Sequence, residues 1–186
     1  MLPLVLSSDS HVFEPSDLWQ TRIDAAFSDR APRIERIDGG DHVVVEADQI
    51  LSGIGLISNA GARFKASETI SAQGRFEDVL PGGYDPEQHL KDMALDGVAG
   101  EVLYPSQGLF YFKVADPPLM SAIFRAYNDW LAEFCRTDPA RLKGIAGRRR
   151  GRDQGAGARR PSGSGRRDDH EIAQDSLIFR SICAVR

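Results

Sequence analysis

The sequence predicts an α/β fold with a parallel sheet. Strand-like and helix-like segments alternate between residues 4 and 146, which is typical of consecutive βα units. The length of 186 residues and the apolar content of 41% allow one domain with a core of ordinary size. The first apolar run, Leu4-Val5-Leu6, stops abruptly at polar residues, as a strand covered on both faces of a parallel sheet does before its turn.

The next segments are a helix, a hairpin and a long irregular stretch. Residues 16–27 have helical character. Residues 33–48 carry two strand-like halves around Asp-Gly-Gly-Asp, which predicts a hairpin because glycine adopts positive φ at little cost. Residues 53–83 are rich in Gly, Ser and Ala, and we expect a long excursion without regular structure, as in many lids and binding loops.

Residues 84–105 form the clearest βα unit. Asp85 is a suitable N-cap, and Pro86 occupies the first helical position, where its missing N–H has no intrahelical partner to lose. Gly97 is placed to end the helix. We therefore predict a helix followed by a strand over residues 98–104 that a proline terminates.

A second, longer helix and a further strand follow. The helix is expected to begin at Asp116 or Pro117 and to end before Asp138, and residues 141–146 are the next predicted strand. The apolar positions recur at helical spacing and define one inward face. These positions are Leu119, Met120, Ile123, Tyr127, Trp130, Leu131 and Phe134.

The composition excludes several classes of protein. No apolar stretch approaches eighteen residues, so we expect no membrane span. The first ten residues lack a basic region, and we expect a cytoplasmic protein. Cys135 and Cys183 lie far apart and outside any C-x-x-C pattern, which argues against a structural zinc knuckle or a disulfide framework.

The charge is divided unevenly along the chain. Residues 1–146 hold 13 Lys and Arg against 22 Asp and Glu, whereas residues 147–186 hold 10 Arg against 5 acidic residues. The second segment has no apolar periodicity, so we expect it to be a disordered Arg/Gly-rich tail beside a domain over residues 1–146. Binding of nucleic acid by this tail is an alternative that we disfavour, because no aromatic residue precedes Phe179 in it.

The strongest chemical signal is the pair Asp9 and His11. Residues i and i+2 of an extended segment share one face, so both side chains can reach one ion. A carboxylate oxygen with an imidazole nitrogen suits zinc, manganese or iron. The competing interpretation is that Asp9 caps a turn and His11 is an ordinary polar loop residue.

Three stretches resemble a known family. "SSDSHVFEPSDLW", "GGYDPEQHLKDMALDGVAGEVLYPS" and "RAYNDWLAEFCRTDPARLKGIA" are similar, in register, to the amidohydrolase-related family that includes aminocarboxymuconate-semialdehyde decarboxylase-like carboxy-lyases. The resemblance implies the N-terminal part of a (β/α)8 TIM-type barrel and a divalent metal at Asp9 and His11. Zinc is the first expectation and manganese a rival, because Asp9 stands where many relatives have His and adds a harder oxygen donor.

The resemblance implies either hydrolysis or nonoxidative decarboxylation, in each case of a small-molecule substrate. We expect a hydrolase first, with a carboxy-lyase acting on a small carboxylic acid as the alternative. Glu14 is a candidate to orient His11 from behind, although a turn residue before a proline is an equal interpretation. Tyr104 and Ser106 end a predicted strand and are candidates for substrate contact.

For two further histidines and for the two tryptophans we expect no role in the chemistry. We expect His42 and His89 to be surface residues, and Trp19 and Trp130 to belong to the core.

The family's later ligands are missing from this sequence. An intact barrel of this type needs about 250 residues, and the only later histidine, His170, lies outside any matching motif. Because catalytic zinc usually has three protein ligands, we expect a truncated chain that is weakly active or inactive. A third possibility is a noncatalytic fragment whose unpaired sheet edge leads to oligomers.

The genetic code offers an explanation for the tail. Reading the codons that encode residues 153–157 one nucleotide later permits Ile-Lys-Glu-Leu-Glu, and residues 168–172 similarly permit Met-Ile-Thr-Lys. Both fragments suit a further βα unit. We therefore hypothesise a frameshift near Gly147, which would make residues 147–186 out-of-frame.

Overall fold

The protein combines a mainly parallel sheet with a small antiparallel one. The computed structural model describes residues 4–55, 57–60, 70–71, 73–148 and 180–181. Among the described residues, the larger sheet has four strands and the smaller one has three. The strands are β1 (Val5–Val12), β2 (Arg33–Ile37), β3 (Gly40–Val45), β4 (Gln49–Gly53), β5 (Val98–Pro105), β6 (Leu142–Ala146) and β7 (Arg180–Ser181). The α-helices are α1 (Leu18–Arg22), α2 (Pro86–Leu95) and α3 (Pro117–Arg136).

The parallel part of the large sheet confirms the α/β prediction. β1 pairs with β5 and β5 pairs with β6, both in parallel, while β7 joins β6 antiparallel through two residues. Helices α2 and α3 connect the parallel strands, as βα units require. The described strands form an open sheet, so the (β/α)8 barrel stays a prediction.

The predicted ends of α2 are confirmed. The Asp85 carboxylate accepts hydrogen bonds from the backbone N–H groups of Glu87 and Gln88, and Pro86 is the first helical residue. Gly97 follows the helix with φ of +71°, a left-handed conformation that glycine adopts without strain from a side chain. These local signals fix where α2 begins and where the chain turns into β5.

Helix α3 packs against β6 and supplies more buried apolar residues than any other described element. All seven predicted inward residues are buried, and the Trp19 indole N–H donates to the Ile123 carbonyl at 3.3 Å. Gly144 of β6 lies so close to this helix that an added Cβ would come within 2.6 Å of Leu131. Trp19 and Trp130 are therefore core residues, as predicted, and Cys135 is buried with them.

The hairpin is confirmed and extended by a strand that the sequence did not reveal. Asp38 and Gly39 have φ of +50° and +85°, so the turn between β2 and β3 uses the left-handed region at both central positions. Strand β4 then pairs antiparallel with β3. The predicted helix over residues 16–27 is shorter than expected, because it divides into α1 and a 3₁₀ helix over Ala25–Arg30.

Strand β1 differs from its prediction in two ways. It continues through Val12, so Asp9 and His11 lie within the strand and not in a turn after it, because residues 11 and 12 still pair with β5. Its beginning is also not covered on both faces: Leu4 and Leu6 are 75% and 68% exposed. Val5, which points to the opposite face from Leu4 and Leu6, is 46% exposed as well, so both faces at this end of the strand are accessible to solvent.

One prediction falls partly, and another largely, outside the described residues. Within the excursion over residues 53–83, the described parts contain short 3₁₀ helices at Ile57–Asn59, Phe76–Asp78 and Pro81–Gly83. Most of the predicted tail, residues 147–186, lies outside the described ranges, and so does Cys183. The tail and the division into two segments therefore stay predictions.

Candidate active site

The candidate site lies where β1 and β5 end side by side. The parallel register pairs His11 with Tyr104 and Val12 with Pro105. Because parallel strands bring their carboxyl ends to the same edge of a sheet, residues that close β1 and β5 converge here. Asp9, His11, Tyr104 and Ser106, which the sequence singled out, therefore belong to one region of the molecule.

Asp9 and His11 lie together. Asp9 Oδ1 is 3.7 Å from His11 Nε2, and the two side chains are 83% and 42% exposed. Two ligands that bind zinc at ordinary bond lengths with a tetrahedral angle are roughly 3.4 Å apart. The observed separation is therefore close to what one shared ion requires, and the exposure leaves both atoms accessible.

The other nitrogen of His11 fixes which atom faces Asp9. His11 Nδ1 is 3.0 Å from the Pro105 carbonyl oxygen. A carbonyl only accepts hydrogen bonds, so Nδ1 must carry the proton. In the neutral ring, Nε2 then holds the lone pair, and a backbone carbonyl behind a ligating histidine is a common arrangement in metal sites.

The donor set fits part of a coordination shell. Asp9 and His11 supply an oxygen and a nitrogen in suitable geometry, whereas structural and catalytic zinc sites usually have at least three protein ligands. Among the residues that the structure describes, no group of three His, Cys, Asp or Glu is arranged to hold a metal ion.

Tyr104 lies beside the His11 ring, whereas Ser106 borders a cavity that His11 also lines. The rings of Tyr104 and His11 have centroids 5.9 Å apart and are tilted by 36°, so the phenol flanks the imidazole on the partly exposed face of the sheet. Ser106 is buried directly after β5. It borders a cavity of about 510 Å³ that also reaches His11, Ser10, His89, Asp92 and Glu101. This volume suits a small molecule.

Glu14 does not lie behind His11, which was one of the two roles that the sequence suggested for it. Its carboxylate is 1% exposed and accepts hydrogen bonds from the backbone N–H groups of Gln107 and Gly108, each at 2.9 Å. His11 meets the Pro105 carbonyl on its Nδ1 side, so Glu14 is not the acceptor that orients the ring directly. Burial raises the pKa of Glu14 to about 7, although the two N–H groups act in the opposite direction.

His89 is not a surface residue, which corrects the prediction. Its side chain is 12% exposed, Nε2 is 2.8 Å from Glu101 Oε2, and Nδ1 is 2.7 Å from the Gly82 carbonyl. Burial lowers the pKa of His89, but the hydrogen bonds to Glu101 and Gly82 outweigh it, and the net pKa is raised. His42 is partly buried, with Nδ1 3.2 Å from the Gly40 carbonyl.

The sequence contained a signal for the buried pair that His89 and Glu101 form. His89 lies four residues before the buried Met93, so the two share one face of α2. Glu101 is a charged residue inside an otherwise apolar strand, and a charge at such a position needs a partner.

Comparisons with known proteins support the fold. No family model matches the sequence, and no curated protein matches it. The structure is similar to the crystal structure of an amidohydrolase from Mycobacterium avium subsp. paratuberculosis, with a TM-score of 0.56 and 18% sequence identity. The match covers 78% of this chain and 42% of that one.

The likeness therefore shows an amidohydrolase-like fold over most of this chain. The chain spans less than half the length of the amidohydrolase structure that it matches. The finer resemblance to aminocarboxymuconate-semialdehyde decarboxylase-like carboxy-lyases remains a prediction from the sequence. None of the helices in the described ranges is both long and apolar enough to cross a membrane.

Proposed function

We propose that this chain carries the N-terminal part of a metal-dependent hydrolase of the amidohydrolase type, with Asp9 and His11 as ligands of a divalent ion. The observation that carries the proposal is the 3.7 Å separation of Asp9 Oδ1 and His11 Nε2, with His11 Nδ1 against the Pro105 carbonyl. The amidohydrolase-like fold supports it, because α/β folds place their chemistry at the carboxyl ends of parallel strands.

The roles of the protein groups follow from their positions. A bound divalent ion would supply hydroxide at neutral pH by lowering the pKa of a water ligand from about 15.7 to about 7. Asp9 and His11 would hold the ion, and the Pro105 carbonyl would keep the proton on Nδ1. Tyr104 would flank a substrate beside His11, and Ser106 would contact the part that enters the 510 Å³ cavity.

The ligand count limits the strength of this site. Two protein ligands leave most of the coordination shell to water, so we expect weak metal binding and weak catalysis from the described residues alone. Zinc is the first choice, and the carboxylate of Asp9 makes manganese a reasonable second.

Calorimetric titration of the full chain with zinc chloride, and separately with manganese chloride, tests the proposal. We expect one ion per chain and a loss of affinity of roughly tenfold or more for Asp9→Asn and for His11→Gln. His42→Gln is the matched control, because it removes an imidazole outside the site. Binding that survives His11→Gln, or that His42→Gln weakens equally, would contradict the assignment.

Two activity assays distinguish the candidate reactions. Metal-dependent release of p-nitrophenol from p-nitrophenyl acetate supports the hydrolase. Release of CO2 from a panel of small carboxylic acids supports the carboxy-lyase instead. A chain that binds no metal and associates into oligomers by light scattering would favour the noncatalytic fragment, because the β1 edge, which pairs with no other described strand, offers a surface for association.

A further inference from the structure

The buried carboxylate of Glu14 joins the ends of the two strands that form the candidate site. Glu14 follows β1 by two residues and is 1% exposed. Its Oε2 accepts from the N–H of Gln107 and its Oε1 accepts from the N–H of Gly108, both at 2.9 Å. Each carboxylate oxygen thus holds one backbone donor of the segment that leaves β5.

That segment, residues 105–108, is tightly folded. A Cβ added at Gly108 would lie 2.6 Å from Pro105 Cβ and 3.3 Å from Glu14 Oε1. The side chain of Gln107 is buried as well, and its Oε1 accepts a hydrogen bond of 2.7 Å from Ser52 of β4. The position of Pro105 is therefore tied to the position of the two N–H groups that Glu14 holds.

Pro105 in turn holds His11, because its carbonyl oxygen is the partner of His11 Nδ1 at 3.0 Å. We propose that Glu14 is a positioning residue: by clamping the N–H groups of Gln107 and Gly108, it fixes the Pro105 carbonyl and so keeps His11 in the tautomer that presents Nε2 beside Asp9. The role of Nε2 as a metal ligand rests on the proposed function, whereas the clamp and the tautomer do not.

A carboxylate meets a requirement that an amide does not. Two N–H donors aimed at the two terminal atoms of a side chain need two acceptors. Glutamine has one acceptor oxygen and one NH2 group, so one backbone N–H would face another donor and the loop would have to move. Glu14→Gln therefore changes the clamp with almost no change in side-chain size.

The test reads the His11 ring directly. Imidazole ¹⁵N resonances of the full chain at pH 8, without metal, report which nitrogen carries the proton. We expect the wild type to hold the proton on Nδ1 and Glu14→Gln to show a mixture of both tautomers. Glu77→Gln, which removes a charge from an exposed glutamate paired with Arg75, should leave the His11 signals unchanged.

A second variant separates positioning from stability. Gly108→Ala keeps the Glu14 charge but pushes the segment away from Pro105, and it should also mix the His11 tautomers. Leu142→Val, which removes one methylene group from the core at β6, should not. A single Nδ1–H tautomer in folded Glu14→Gln or in Gly108→Ala would overturn the proposal, as would equal mixing in Leu142→Val.

Metal affinity provides the link to function. If the chain binds zinc through Nε2, Glu14→Gln should weaken binding by roughly tenfold to a hundredfold, the usual cost of losing a group behind a ligating histidine. If the wild type binds no zinc but the tautomer still depends on Glu14, the proposed function fails while the positioning role stands.

Discussion

Two carboxylate–imidazole pairs in this molecule have the same chemistry and opposite surroundings. Asp9 and His11 are 3.7 Å apart and largely exposed, whereas Glu101 and His89 are 2.8 Å apart, with side chains only 10% and 12% exposed. Both nitrogens of His89 meet acceptors, so that ring has no atom left for a ligand. His11 uses Nδ1 alone and leaves Nε2 available. Burial thus gives one pair a structural role and leaves the other accessible for chemistry.

The largest expected effect comes from breaking the buried pair. Glu101→Ala leaves the His89 imidazolium without its carboxylate in a buried position, which costs about 3 to 5 kcal/mol for pairs of this kind. Urea denaturation at pH 6 measures the loss. A change below about 1 kcal/mol would mean that the pair is effectively solvated, and the contrast between the two pairs would not hold.

The next effect is the pH dependence that Glu14 gives to the stability of the folded chain. Its folded-state pKa, about 7, is above the ordinary value of 4.5, so its contribution to stability is fully present below pH 4.5 and is lost as pH rises through 7. The difference of about 2.5 pH units corresponds to about 3 kcal/mol. Tyr111 and Tyr127, whose pKa values burial and the nearby Glu14 raise well above 10, stay neutral throughout.

Urea denaturation of the wild type and of Glu14→Gln at pH 4.5 and pH 8 checks this prediction. Because glutamine does not titrate, the difference between the two proteins isolates Glu14. The wild type should lose about 3 kcal/mol relative to Glu14→Gln between the two pH values. A difference that is independent of pH, or that grows in favour of the wild type, would show that Glu14 has an ordinary pKa.

A smaller effect is expected when metal is added to the exposed pair. Zinc at ten times its dissociation constant should stabilise the folded chain by about 1.4 kcal/mol. Thermal unfolding with and without zinc measures the shift, and His11→Gln should abolish it. His89→Gln should keep the zinc-dependent shift even though it lowers the starting stability, and an equal loss in both variants would place the ion elsewhere.

The smallest effect is the intrinsic coupling between Asp9 and His11 in the absence of metal. Exposed ion pairs contribute about 0 to 1 kcal/mol, so a double-mutant cycle of Asp9→Asn and His11→Gln should give a coupling below about 0.5 kcal/mol. A coupling above about 2 kcal/mol would indicate a buried, structural pair like the one formed by His89.

The two pairs also show which features of the structure could be predicted from the sequence. The sequence predicted α2 and α3 well. Asp85, Pro86 and Gly97 each determine the conformation of the helical turn next to them, and the apolar residues of α3 recur at helical spacing. Asp9 and His11 were found because residues i and i+2 of an extended segment share a face.

Contacts between distant residues were not accessible in the same way. The role of Glu14 depends on N–H groups 93 and 94 residues away, and the burial of His89 depends on Glu101 in the next strand. The continuation of β1 through Val12 likewise depends on its pairing with β5. Sequence periodicity reports which face of an element is apolar, but it does not report which distant polar atom completes a hydrogen bond.

The most direct test of the account is a zinc titration of the ¹⁵N-labelled full chain, followed through the imidazole nitrogens at pH 7.5. We predict that His11 Nε2 shifts with added zinc while both nitrogens of His89 stay unchanged, because only the exposed pair has a nitrogen available. Zinc-dependent shifts at His89, or none at His11, would contradict the assignment of Asp9 and His11 as the metal-binding pair.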